Sequence, residues 1–119
     1  VTQPAVLEGT CHCGACRIRI PRSPEEVVEC NCSLCRKTGW RGIYFSPSEV
    51  EVSGEFDSYV RADLDEQYLR TMRCKDCGIA THWVLLSPPP HERMGVNARL
   101  FDAALLSGVA VKHVDGASW

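Results

Sequence analysis

The sequence predicts a mainly β domain organised around bound metal, and three observations lead there. Short runs of alternating apolar and polar residues recur along the chain, divided by Gly, Pro, Ser and acidic turn signals. Only one or two segments have the caps and length of a short helix. Eight cysteines fall into tight groups rather than being scattered. At 119 residues the chain has the length of one domain, so residues 1–119 are expected to form a single zinc-binding unit.

In chain order, "ACRIRI" comes first: Cys16, Ile18 and Ile20 alternate with Arg17 and Arg19, as in a half-buried strand. "EEVVEC" (Glu25–Cys30) reads as a second strand that delivers the next cysteine group. In "SLCRKTG", Ser33 offers an N-cap and Gly39 a stop, which predicts one helical turn. "GIYFS", "EVEVSG", "FDSYVR" and "YLRTMRC" are short and β-prone, and "THWVLL" is a further strand ended by the "SPPP" loop. "FDAALLSG" (Phe101–Gly108) has the strongest helical pattern, with Asp102 as cap and Gly108 as closure. "VAVKHV" alternates again and predicts a last strand.

Composition excludes several functions. The formal net charge is −2 with no basic run, which gives no electrostatic basis for nucleic acid or an anionic membrane as partner. The longest aliphatic or aromatic run is four residues, "WVLL" at Trp83–Leu86, against the about 20 needed for a spanning helix. No signal-peptide pattern is seen.

The cysteines carry the chemistry. "CHCGAC" at Cys11–Cys16 and "CNCSLC" at Cys30–Cys35 share the pattern C-x-C-x-x-C, and "CKDC" follows at Cys74–Cys77. Such knuckles bring several thiolates to one point, as zinc requires, whereas a disulfide within C-x-C is strained. Thiolate–zinc chemistry favours a reducing compartment, so a cytoplasmic location is expected. Cys74 and Cys77 need two partners, either Cys11 with Cys13 or two of Cys30, Cys32 and Cys35. Cys16 is in phase with Ile18 and Ile20, which favours a buried, inert thiol over a ligand. On that reading Cys11, Cys13, Cys74 and Cys77 close a four-sulfur structural site. Cys30, Cys32 and Cys35 are left as a three-sulfur site, the layout of a catalytic zinc with an open position.

Other polar residues are weaker candidates. Arg36 and Lys37 follow Cys35, where positive charge favours thiolates or holds an anionic substrate. His12 points away from a metal held by its neighbours, and His82 reads as a structural histidine or an acid–base group near the open site. His91 falls in a loop and His113 in no motif. Trp40 either walls the open site or packs in the core, and Asn97 and Arg99 suggest no chemistry.

At "GTCHCGACRIRI", "CNCSLCRKTG", "RCKDCGIATHW" and "GVNARLFD…DGASW", roughly Gly9 to Trp119, the chain resembles the glutathione-dependent formaldehyde-activating enzyme family, which also includes centromere protein V. The resemblance implies small antiparallel sheets around zinc, a fold type shared with a Rab guanine-nucleotide release factor. It implies two zincs per chain: a structural one on Cys11, Cys13, Cys74 and Cys77, and a catalytic one on Cys30, Cys32 and Cys35, the latter expected to be labile because three sulfurs hold it. It also implies a carbon–sulfur lyase type of activity, joining glutathione or another small thiol to formaldehyde or another small aldehyde. The competing reading is a non-catalytic binding module with two structural zincs, in which Cys16 supplies the fourth sulfur of the second site. A disulfide-linked secreted domain ranks below both.

Overall fold

The computed structural model of the protein describes residues 6–86 and 93–118; the Ser-Pro-Pro-Pro loop, His91 and Trp119 lie outside the described residues. Among the described residues, two sheets form the fold. The smaller holds β1 (Leu7–Thr10), β2 (Arg17–Ile20) and β5 (Glu51–Ser53), with β2 in the middle and both pairings antiparallel. In β2 the period of two places Ile18 and Ile20 inside at 0% exposure, while Arg17 and Arg19 face out and meet Glu8 of β1. Exposed pairs of that kind contribute little, so the two isoleucines fix the register.

The larger sheet has seven strands in the order β10 (Ala110–Val114), β3 (Glu26–Cys30), β4 (Gly42–Phe45), β9 (Met94–Asn97), β8 (Ala80–Leu85), β7 (Leu69–Cys74), β6 (Phe56–Val60). Its pairings are antiparallel except β3 with β10, which run parallel. The main core draws Leu7, Ile18 and Ile20 from the small sheet and Val27, Ile43, Phe45, Met94 and Val96 from the large one. Along β4, Ile43 and Phe45 enter that core, whereas Tyr44 joins a second cluster of Trp40, Ala80 and Trp83. Cys35 packs against this second cluster. The mainly β fold predicted above is therefore the fold observed.

The helices differ in kind from expectation. Among the described residues the α-helix is α1 (Ser33–Thr38), capped by Cys32 rather than Ser33: the Cys32 side chain accepts from the Cys35 N–H. Gly39 ends α1 in the left-handed region at φ 71°, where its N–H donates to the Cys35 carbonyl. "FDAALLSG" forms only a 3-10 turn over Ala103–Leu106, with Asp102 accepting from the Ala104 N–H as its cap. Leu105 N–H donates to the Asp102 carbonyl and Ser107 N–H to the Ala104 carbonyl, both i→i+3 bonds, so the segment closes as a 3-10 turn. No helix among the described residues is long and apolar enough to cross a membrane.

Candidate functional site

Two groups of sulfur atoms converge. Cys11, Cys13, Cys74 and Cys77 form one and Cys30, Cys32 and Cys35 the other, with the Sγ atoms of each group within 4.8 Å of one another. The first group joins the end of β1 to the end of β7, two segments that belong to different sheets. Its measured edges are 3.6 Å for Cys11–Cys13 and 3.7 Å for Cys13–Cys74. A tetrahedron with metal–sulfur distances of about 2.3 Å has edges of about 3.8 Å, so this donor set fits zinc.

The backbone supports the sulfurs. Cys11 Sγ accepts from the Cys16 N–H at 3.3 Å, Cys74 Sγ from the Cys77 N–H at 3.4 Å, and Cys32 Sγ from the Cys35 N–H at 3.4 Å. Such donors favour the thiolate. Burial opposes ionisation of Cys11, yet the Cys16 N–H and the neighbouring thiols outweigh it and bring its pKa down to about 6. Cys13 receives the Ala15 N–H, but the charge shared with Cys11 pushes it up to about 12. In the second group burial likewise opposes Cys32, and the Cys35 N–H, the neighbouring thiols and Arg61 hold it below the ordinary thiol value. Cys35 is pushed up by burial and then by its neighbours' charge. Thiols this close ionise together only around a cation, which is the electrostatic signature of a metal-binding donor set.

The two C-x-C-x-x-C motifs diverge at their third cysteine because the chain does different things after the second. Past Cys13 it turns into β2, so Cys16 faces inward at 1% exposure and its thiol donates to the Glu55 carbonyl at 3.4 Å. Burial, then Cys74, pushes the Cys16 thiol up to about 12, consistent with an unreactive thiol. Cys16 packs beside Cys11 and Cys74, away from the second group, which therefore has no fourth sulfur from it. Past Cys32 the chain winds into α1, and the helical turn carries Cys35 back to Cys32 and Cys30.

Cys30 of the second group lines a cleft of about 430 Å³ together with Glu29, Asn31, Arg36, His113 and Asp115. Its lining is mixed in charge, with Arg36, Glu29 and Asp115. Lys37 is exposed on α1 and is not among these lining residues. Asn31, between two cluster cysteines, donates to Asp115 and accepts from the Ala117 N–H, both at 2.9 Å. These bonds tie the 3-10 turn at Gly116–Ser118 beside the cluster.

The remaining candidates have structural surroundings. His12 is exposed. His82 is buried, bonded through Nδ1 to Thr81 Oγ1 at 2.8 Å and set edge-on to Phe56. Trp40 is buried in the cluster that also receives Cys35. Asn97 is 3% exposed, donates to the Ala80 carbonyl and accepts from the Arg99 N–H, so it locks β8 to the turn after β9. Sequence reasoning missed Arg61, whose Nη1 donates toward Cys32 Sγ at 3.6 Å. Its position in a distant loop left no local signal.

Comparison with known proteins gives a family and a fold neighbour. The sequence profile of the glutathione-dependent formaldehyde-activating enzyme family matches residues 6–112. A Halomonas elongata protein named for glutathione-dependent formaldehyde activation is 43% identical over 56 residues, 46% of this chain and 33% of that protein. The match thus spans about a third of that relative's length. A crystal structure of a Rhodobacter sphaeroides protein superposes with a TM-score of 0.67 at 27% identity, covering 89% of this chain and 100% of that one.

Proposed function

The chain belongs to the glutathione-dependent formaldehyde-activating enzyme family, and on that premise we propose that Cys30, Cys32 and Cys35 form a zinc-dependent reaction centre for a thiol and a small aldehyde. The reaction joins glutathione, or a related thiol, to formaldehyde or a related aldehyde. The sulfur–carbon bond forms as the carbonyl π bond opens, and the thiol proton ends on the oxygen, giving S-hydroxymethylglutathione in the founding case. Run in reverse it is a carbon–sulfur lyase reaction.

One observation carries this reading: the two sulfur groups are unequal, four atoms closing one and three forming the other, with Cys30 of the three lining a cleft. A zinc ion bound by three protein sulfurs keeps a position for a further ligand and supplies Lewis acidity that lowers the pKa of a thiol there. The chain's own residues bind and orient. Arg36 and Asn31 line the cleft where they can hold a substrate carboxylate, and Glu29 and Asp115 are placed for an ammonium group, so a zwitterionic thiol suits the rim. Cys11, Cys13, Cys74 and Cys77 hold the structural zinc, which gives two zincs in one domain over residues 1–119, working in a reducing compartment such as the cytoplasm.

The test is adduct formation followed by exchange NMR with glutathione and formaldehyde. The zinc-loaded protein should speed adduct formation over the spontaneous rate, and Cys35→Ser should abolish the gain while the fold persists. No acceleration by the zinc-loaded protein would refute the reading.

A further inference from the structure

The loop between β6 and β7 places a cation against the three-cysteine group from a distance of 29 residues in sequence. Arg61 uses one edge of its guanidinium, Nε and Nη2, to grip the Asp63 carboxylate at 2.9 and 2.6 Å. That fork fixes the plane of the group and leaves Nη1 to donate toward Cys32 Sγ at 3.6 Å. The backbone is fastened as well, since Gln67 Nε2 donates to the Arg61 carbonyl at 2.9 Å. Exposure separates the two charges: the Arg61 side chain is 20% exposed and that of Asp63 51%. The cation is thus turned to the sulfur and its counterion to water, where solvent screens the carboxylate more.

We infer that Arg61, oriented by Asp63, is a positioning residue of the three-cysteine centre that balances the negative charge its sulfurs accumulate. This inference rests on reading that group as the reaction centre. A dication among three thiolates leaves one net negative charge, and an anionic thiol ligand doubles it. A guanidinium donating to one of those sulfurs offsets that repulsion, and a charge-assisted hydrogen bond is about twice as strong as a neutral one. Arg36 and Lys37, beside Cys35 in sequence, are exposed; the cation with a bond to a cluster sulfur comes instead from the loop. A lysine at position 61 would keep the charge and lose the fork, whereas Asp63→Asn would keep the guanidinium and weaken its clamp.

The experiment loads the full chain with cobalt(II), whose sulfur charge-transfer and d–d bands report each cluster. Cobalt is then withdrawn with a competing chelator, and glutathione is titrated separately. Arg61→Gln should weaken cobalt binding at the three-cysteine group roughly tenfold while leaving the four-cysteine bands in place. Arg61→Lys should restore part of the loss, and Asp63→Asn should fall between wild type and Arg61→Gln. The glutathione-induced band change should need correspondingly more glutathione in Arg61→Gln. Unchanged cobalt affinity in Arg61→Gln would overturn the inference. Wild-type bands indifferent to glutathione would instead refute the proposed reaction, and the cobalt affinities would still decide the role of Arg61.

Discussion

Gly116 has no side chain, and the place its Cβ would take is already occupied by the Cys30 sulfur. An added methyl must move either the terminal turn or a cluster sulfur, and such overpacking typically costs about 1–3 kcal/mol. Gly116→Ala should therefore loosen the cation of the three-cysteine group several-fold in chelator competition and leave the four-cysteine group unaltered. Equal loss at both groups would show that the effect is global. His82 gives a prediction in pH. Burial holds its pKa down to about 4, below the value of about 6.5 for an unfolded chain. The unfolded state then binds more protons between those values, so stability rises with pH across that window and falls as pH drops from 6.5 toward 4, by up to about 3 kcal/mol. His82→Gln should flatten that part of the profile. The gap between variant and wild type in urea midpoints at pH 4.5 and pH 7 is the readout, since acid loss of metal affects both proteins. A gap unchanged by pH would contradict the placement of the imidazole.

Among the elements, the segment from Cys30 to Cys35 does most to build the site: a strand end, a cap and one helical turn bring its three sulfurs together. The same motif at Cys11–Cys16 ends in a strand, and the phase of Cys16 with Ile18 and Ile20 already pointed there. Asn31, whose side chain holds the Gly116–Ser118 turn, is the joint between this segment and the C-terminus. Asn31→Ala removes both bonds. It should speed hydrogen exchange at the Ala117 amide and raise the rate of alkylation at Cys30 several-fold in the metal-free protein, with little change in Tm. Protection of that amide equal to wild type would mean that the turn is held by other contacts. Some elements were illegible for physical reasons. β9 is buried at every position, so it lacks the alternation that reveals a strand. The parallel pairing of β10 with β3 depends on a tertiary approach that no local pattern encodes. In Phe101–Gly108 the cap at Asp102 was read correctly, and Gly108, at φ 83°, follows the Ser107 C-cap, but cap chemistry does not distinguish a 3-10 turn from an α-helix.

For the whole molecule, the four-cysteine group is a cross-link. It ties the end of β1 in the small sheet to the end of β7 in the large one, across a sequence separation of 61 between Cys13 and Cys74. Closing so long a loop would remove much unfolded-chain entropy, and a metal bound there would add directly to folding stability. Cys74→Ser should lower Tm by about 10 °C or more, whereas Cys35→Ser should leave Tm within a few degrees while removing one metal. Comparable losses from both substitutions would erase the division between structural and reactive groups. The grouping of the sulfurs into four and three was legible because ligand spacing is local and the phase of Cys16 is local. Arg61 was not, because a loop contact depends on how β6 and β7 pair across the sheet. The most direct measurement is zinc content per chain by elemental analysis, before and after mild chelation, with and without glutathione. The account predicts two zincs, one resistant throughout and one removed by the chelator and perturbed by glutathione. Two zincs that both resist chelation and ignore glutathione would contradict it.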